Sequence, residues 1–374
     1  MEESIKTVII DNGCSMTKAG FGGDDAPISV FQTIVGNPKS KVKVPSLYSP
    51  PSYVGEYIIK CSEFLNLKCP LERGLIKDFD CMKQLWDHTF CYELRTNPSE
   101  GNVLLTEVAN NTAQNREKTT QIMFEEFEVK GLYIGLQPLL TLYNAGRTTG
   151  TVLEMGDSVT QCISVNKGNV SKESFVVNNF GGDEVSTFIQ KTLKDRSSVF
   201  ELQSAGKHIA RDIKEKICYV ASNFVEAIQR SQNEVETEYK LPDGESILVG
   251  KERFLACEAY FQPSLLNLEC LGIHQMICNS IRKYNKDVTK VLYENIVVGG
   301  GPSLTQGLFE RIYKEISNFS PQNIKIKTIK NQDRKYSAFL GASILASLDS
   351  FMPSFITKKV YEENGASFIN SHLF

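Results

Sequence analysis

The sequence is short of the residues that support the simplest functional readings. It has one tryptophan and four histidines, and His88, His208, His274 and His372 are too scattered to read as a metal site. Cysteine pairs of the CxxC kind are missing, so the ten cysteines read as reduced thiols of a cytosolic or nuclear protein rather than a disulfide framework. No apolar run reaches the ~18 residues that a membrane-spanning helix needs. Neither sign of charge dominates: 41 Lys and Arg stand against 44 Asp and Glu, a net charge of −3. That excludes a global basic excess for direct nucleic-acid binding and an acidic excess for disorder. The opening Met1-Glu2-Glu3-Ser4 is acidic and runs into a strand-like segment, which is not the pattern of a signal peptide.

What is present is a chain of 374 residues, 41% of them hydrophobic, enough for two or more domains with real cores. Strand-like runs recur at Thr7–Ile10, Val103–Thr106, Leu132–Gly135, Val152–Glu154, Gln161–Val165 and Asn295–Val298. Helical patterns lie between them, as at Asp80–Phe90 and Asn115–Phe127, where Ile122, Met123 and Phe127 mark one face. The alternation predicts α/β layers. Gly36–Asn66, broken by Pro38, Pro45, Pro50 and Pro51, reads as a small insertion with an exposed loop. Asp183–Pro263 reads as a second insertion, with Leu241-Pro242-Asp243-Gly244 as a turn between two strands.

The most informative stretch is Val8-Ile9-Ile10-Asp11-Asn12-Gly13-Cys14-Ser15-Met16-Thr17-Lys18. It predicts a strand, a tight acidic turn and a return strand carrying a lysine. Thr151-Val152-Leu153-Glu154-Met155-Gly156-Asp157-Ser158-Val159-Thr160 repeats the design. Two such turns suggest two lobes closing on one phosphate tail, with backbone N–H groups toward phosphate oxygens and Asp11 and Glu154 toward a cation's waters. Lys18 is placed to reach a phosphate, or is an ordinary exposed strand lysine. Gly299-Gly300-Gly301 follows a strand-like run and precedes a helical pattern with Ser303 as its N-cap, a common nucleotide seat. Gly181-Gly182 offers another close approach. Arg211, Lys214 and Glu215 share one helix face, with Ile213, Ile217 and Val220 opposite; that face is either solvated or directed at a base and ribose.

These residues, in order along the chain, resemble the actin family, actin itself and the actin-related proteins. The resemblance runs through Lys18-Ala19-Gly20-Phe21, Gly23-Asp24-Asp25-Ala26-Pro27, Leu104-Leu105-Thr106-Glu107, Asn115-Arg116-Glu117-Lys118, Gly146-Arg147-Thr148-Thr149-Gly150, Arg211-Asp212-Ile213-Lys214-Glu215-Lys216 and Arg334-Lys335-Tyr336-Ser337. It implies an α/β, actin-like two-lobe ATPase fold, shared with sugar kinases and Hsp70-type chaperones, with four subdomains around a nucleotide cleft. Subdomain 1 would be 1–32, 67–144 and 337–374; subdomain 2 would be 33–66, with an exposed loop at 38–51. Subdomain 3 would be 145–180 and 269–336, and subdomain 4 would be 181–268. The implied ligands are ATP or ADP with Mg²⁺ or Ca²⁺. Gly13, Cys14, Ser15, Met16 and Lys18 would grip phosphates from one lobe and Gly156, Asp157, Ser158 and Val159 from the other. Gly182, Lys214, Glu215, Gly300, Gly301 and Lys335 would surround the adenosine. Asp11, Gln137 and Glu154 would hold the cation's waters, with Gln137 and Gln161 as the catalytic, water-placing residues. A partner cleft between subdomains 1 and 3 would be lined by Tyr143, Gly146, Thr148, Gly168, Leu345 and Leu348.

Several positions depart from the family pattern. Cys14-Ser15 stands where conventional actin has Ser-Gly, Glu154 where it has Asp, Ser158 where it has Gly, and Gln161 where it has a water-positioning histidine. Gln hydrogen-bonds water but cannot take up a proton, so nucleotide binding is expected to survive and any ATPase activity to be slow or altered. Arg73 replaces the modifiable histidine, the exposed loop reads Lys39-Ser40-Lys41-Val42-Lys43-Val44-Pro45, and Asn267 replaces a glycine in the plug region Leu265–Glu269. The acidic N-terminal cluster is reduced to Glu2 and Glu3, and Leu373 replaces a reactive cysteine. The expected role is an ATP-binding cytoskeletal protein that forms or regulates actin-type filaments with itself, with actin or with actin-binding proteins. The alternative is a non-polymerising subunit of a nucleator, motor adaptor or chromatin remodeller. A freestanding small-molecule kinase or chaperone-like ATPase finds support only in the phosphate turns.

Overall fold

The computed structural model describes residues 6–39, 53–55, 58, 61, 64–322 and 324–371, the side chains of 203 and 204 excepted. Glu2, Glu3, Leu373 and most of the rewritten loop, 40–51, lie outside the described residues. The chain divides into two compact units: Met1–Thr148 with Tyr336–Phe374, and Thr149–Lys335.

The first unit is built on strands β1 (Thr7–Asn12), β2 (Met16–Phe21), β3 (Ser29–Gln32), β4 (Val35–Pro38), β5 (Leu65–Lys68), β6 (Leu71–Glu72), β7 (Leu75–Ile76), β8 (Asn102–Glu107) and β9 (Gly131–Leu136). The main sheet runs β3, β2, β1, β8, β9 and then the strand Ile356–Thr357. β1 pairs antiparallel with β2 and parallel with β8, and β8 parallel with β9. Because side chains alternate along a strand, β1 feeds two cores. Val8 and Ile10 pack with Trp86, Phe90, Leu105 and Phe124. Ile9 packs with Leu104, Leu140, Phe339 and Ala342. Both faces are covered, which explains the unbroken apolar run that made this strand legible.

Three helices follow from local signals. α1 (Phe79–His88) starts at Asp78, whose carboxylate accepts the Cys81 N–H at 2.9 Å. α2 (Ala113–Glu125) starts at Thr112, which accepts the Asn115 N–H. α3 (Gln137–Asn144) opens where β9 ends, with Pro138 in its first turn. It packs on the helix Ser337–Ala346, where a Cβ on Gly341 would sit 1.9 Å from the Leu140 carbonyl oxygen.

The second unit repeats the plan with β10 (Gly150–Met155), β11 (Thr160–Asn166), β12 (Asn169–Val170), β13 (Val176–Asn178), β14 (Thr237–Lys240), β15 (Ser246–Val249), β16 (Ile296–Gly299) and β17 (Thr328–Ile329). Its sheet runs β12, β11, β10, β16, β17, with β13 also on β11. β10 is again antiparallel to its hairpin partner and parallel to a distant strand, β16. Helices α4 (Gly182–Thr192), α5 (Gln203–Ile217) and α6 (Leu308–Phe319) contribute Val185, Ile189, Ala210, Ile213, Leu308 and Ile312 to its core. The β14–β15 hairpin turns through 241–245 as expected, closed by Gly244 N–H on the Leu241 carbonyl.

One expectation fails, and the expected strands form with shifted ends. Ser303 caps no α-helix. It lies buried in a 3₁₀ turn, Gly301–Leu304, and its hydroxyl donates to the Gly300 carbonyl at 2.6 Å, while α6 begins after Gly307. Strand limits extend one or two residues past several apolar runs, because ladder hydrogen bonds continue where side chains turn polar. Among the described residues no helix is long and apolar enough to cross a membrane.

Candidate functional site

The two hairpins share one geometry. In the first, Asp11 and Lys18 are cross-strand partners and the Gly13 N–H donates to the Met16 carbonyl at 3.2 Å. In the second, Glu154 and Gln161 are partners and the Gly156 N–H donates to the Val159 carbonyl at 2.8 Å. A Cβ on either glycine would approach that carbonyl oxygen to 2.8 or 2.7 Å, so neither turn admits a side chain there.

Asp11 is the best-determined group of the first unit. Lys18 Nζ donates to its Oδ2 at 2.8 Å, Thr106 Oγ1 to its Oδ1 at 2.6 Å and Gln137 Nε2 to the same Oδ1 at 2.9 Å. Burial alone would raise the pKa of this carboxyl. The Lys18 charge and the hydrogen bonds from Lys18, Thr106 and Gln137 outweigh it and hold the group below its usual range. The site therefore keeps a fixed, ionised carboxylate at the mouth of a turn. Four elements make it: β1, β2, β8 and the start of α3. Thr106 was noted only within a sequence block, and nothing in the sequence marks it as a partner 95 residues from Asp11. Cys14, Ser15 and Met16 are half-buried in the turn, whose backbone is pinned by Thr33: its hydroxyl donates to the Gly13 carbonyl and its N–H to the Ser15 carbonyl.

In the second unit the hairpin is joined to α4. The Gly182 N–H donates to the Gly156 carbonyl and the Asp183 N–H to the Asp157 carbonyl. Those early helix donors are thus engaged by the turn, not held open. From α5, Arg211 reaches both Asp157 oxygens at 3.1 Å, and Lys214 Nζ donates to the Gly182 carbonyl at 2.7 Å. The α5 face is therefore directed inward at these residues. Lys214 is buried, and loss of hydration lowers its pKa, whereas Glu215 beside it is exposed. Ile213 is buried opposite, but Val220 lies beyond the helix end at Ile217 and belongs to no face of it. Glu154 and Gln161 are both buried, as is Val159, and Ser158 is half-buried.

The glycine turn after β16 lies against the same sheet. Gly299 is in parallel register with Glu154. Gly300 has φ +86°, and a Cβ there would meet the Met155 carbonyl oxygen at 2.0 Å, so only glycine fits. Its N–H donates to the Arg334 carbonyl, which places Gly300 and Gly301 beside the exposed Lys335.

Of the expected partner-cleft residues, Tyr143, Gly146, Thr148, Leu345 and Leu348 belong to the first unit and Gly168 to the second. Gly146, Thr148 and Leu348 are exposed. Asn267 adopts the left-handed conformation, φ +57°, that asparagine tolerates, so the plug-region turn keeps a backbone a glycine would favour. Among the described residues no three His, Cys, Asp or Glu side chains gather as direct metal ligands. The family model described as Actin matches residues 2–374.

Proposed function

The chain belongs to the actin family, and we propose that it binds ATP or ADP with Mg²⁺ or Ca²⁺ and uses the nucleotide state to control assembly with itself or with actin. Members of the family generally bind these nucleotides with a divalent cation. The observation that carries the reading is the duplicated hairpin, with its acidic partner positions and glycine turns at the same spacing in both units. An unstructured or incidental turn would not need the three donors that hold Asp11.

In the first unit, Gly13, Cys14, Ser15, Met16 and Lys18 are the proposed phosphate contacts, and Asp11 and Gln137 the groups facing the cation's hydration shell. In the second, Gly156 to Val159 take phosphate contacts, Glu154 faces the hydration shell, and Gly182, Lys214, Glu215, Gly300, Gly301 and Lys335 take the nucleoside. The residues fit such an ion. Asp11 stays ionised, and a hard cation that keeps its waters suits carboxylate and amide oxygens. The cation, when bound, neutralises phosphate charge. Gln137 donates its Nε2 to Asp11, which fixes the orientation of its amide beside that carboxylate. Gln161 accepts and donates hydrogen bonds but holds no extra proton, so hydrolysis is slow.

Pelleting and electron microscopy of the purified protein with Mg-ATP, alone and with conventional actin, test the reading. Filaments or co-filaments support it. Failure to bind ATP overturns it. ATP-binding monomers point to the second reading, a subunit of a larger assembly, which the altered plug region and the rewritten loop favour.

A further inference from the structure

We propose that Cys14 and Cys69 form a dithiol pair that a hydroperoxide converts to a disulfide, a modification site inside the first hairpin. The Cys69 Sγ donates to the Cys14 carbonyl at 3.5 Å and to the Leu71 carbonyl at 3.2 Å. The Cys14 Sγ accepts the Gly74 N–H at 3.0 Å. Both sulfurs thus touch the short β6–β7 hairpin, and the Cys69 sulfur rests on the peptide group that carries the Cys14 side chain. Disulfides need Cα atoms within about 7 Å of one another; the Cys69 sulfur already touches the main chain of Cys14 at 3.5 Å, so the two residues are direct neighbours in space although 55 apart in sequence. Cys69 is exposed and Cys14 half-buried, so a small oxidant has access. Most other cysteines are buried. The exposed Cys91 is turned against thiolate formation by partial burial and by Asp87, to which it donates.

The chemistry balances with hydrogen peroxide as the oxidant. The Cys69 thiolate attacks one peroxide oxygen; the S–O bond forms, the O–O bond breaks, and one water leaves, giving the sulfenic acid. The Cys14 thiolate then leaves the Gly74 N–H and attacks the Cys69 sulfur. The S–S bond forms, the S–O bond breaks, and a second water carries away the remaining protons. Two thiols are oxidised and one peroxide is reduced. The consequence for function rests on the nucleotide reading above: with its sulfur tied to Cys69, Cys14 is withdrawn from the phosphate turn and ATP binding is lost until the bond is reduced.

The experiment is peroxide treatment of the full-length protein, alkylation, and non-reducing tryptic mapping by mass spectrometry, with ATP titrations alongside. The expected product links the peptides Thr7–Lys18 and Cys69–Arg73, disappears with dithiothreitol, and coincides with a reversible loss of ATP binding. Cys69→Ser should bind ATP as the reduced wild type does and keep doing so after peroxide. Cys14 found alkylated, over-oxidised or paired elsewhere in treated wild type overturns the proposal. Reduced protein that never binds ATP overturns the nucleotide reading instead, and leaves the peptide map to decide the pair by itself.

Discussion

Lys18→Met separates what the Asp11 cluster does for the fold from what it does for a ligand. The Lys18 side chain is 16% exposed and the Asp11 side chain 4%, and they meet at 2.8 Å. Removing one partner of a buried ion pair costs about 3–5 kcal/mol. Here the Thr106 and Gln137 donors remain on the carboxylate, so the cost should fall to about 2–3 kcal/mol, near that of one charge-assisted hydrogen bond. The double variant Asp11→Asn, Lys18→Met leaves no orphaned charge and should recover about 1–2 kcal/mol of that loss, a coupling of the size expected for contacting residues. It should not recover ATP affinity, because both proposed ligand groups are gone. Trp86 is the sole tryptophan, is fully buried and sits in the same unit, so its emission during urea unfolding reads the relevant transition. The pH dependence has a definite sign. In the wild type the Asp11 pKa is depressed, so its stabilisation is present above the unfolded value and fades as pH falls through the folded one. Without Lys18 the two largest lowering influences are gone and only the Thr106 and Gln137 hydrogen bonds oppose burial, so the pKa rises relative to wild type. The single variant's deficit should then be largest at neutral pH and shrink under acid conditions, where Asp11 is protonated. A Lys18→Met protein as stable as wild type at pH 7, or a double variant no more stable than the single one, would refute this reasoning.

Other substitutions probe the second unit. Gln161→His should speed phosphate release by roughly tenfold to a hundredfold, up to the lower end of the usual range for proton transfer by a positioned side chain; an unchanged rate would move the limit to Cys14, Glu154 or slow product release. Lys214→Met removes the ammonium from the Gly182 carbonyl and should weaken ATP binding by about tenfold to a hundredfold in titration, the equivalent of one charged hydrogen bond. Glu215→Gln, at an exposed position, should change affinity much less. Gly300→Ala forces a side chain into a left-handed backbone against the Met155 carbonyl. It should destabilise the second unit by at least about 1 kcal/mol, seen as a lower circular-dichroism midpoint. Arg311→Met leaves the fully buried Glu258 without its 2.8 Å partner and should cost about 3–5 kcal/mol by the same measurement.

How much was legible can be judged position by position. The strands β1, β8, β10 and β16 were recognisable because both faces are buried and each carries a short unbroken run of β-branched or leucine residues at its centre. The acidic turns were recognisable because turn chemistry is local and repeated. The helix near Ser303 was misplaced because a serine after glycines satisfies the local rule for a cap, while the actual chain spends that hydroxyl on the Gly300 carbonyl. The α5 face was ambiguous for a similar reason: Arg211, Lys214 and Glu215 have the spacing of a solvated stripe, and only the approach of Asp157 and Gly182 turns two of the three inward.

By itself, then, the sequence determined the family, the α/β alternation and the two hairpins, since each of these depends on short-range patterning or on blocks of residues in order. Tertiary structure alone decided that Thr106 and Gln137 complete the Asp11 cluster, that Lys214 is buried on a backbone carbonyl, and that Cys69 lies on Cys14. Those contacts join segments far apart in the chain, through parallel strand pairing and helix packing. No local propensity encodes them: hydrogen bonds of this kind form only where the whole fold has already brought donor and acceptor together.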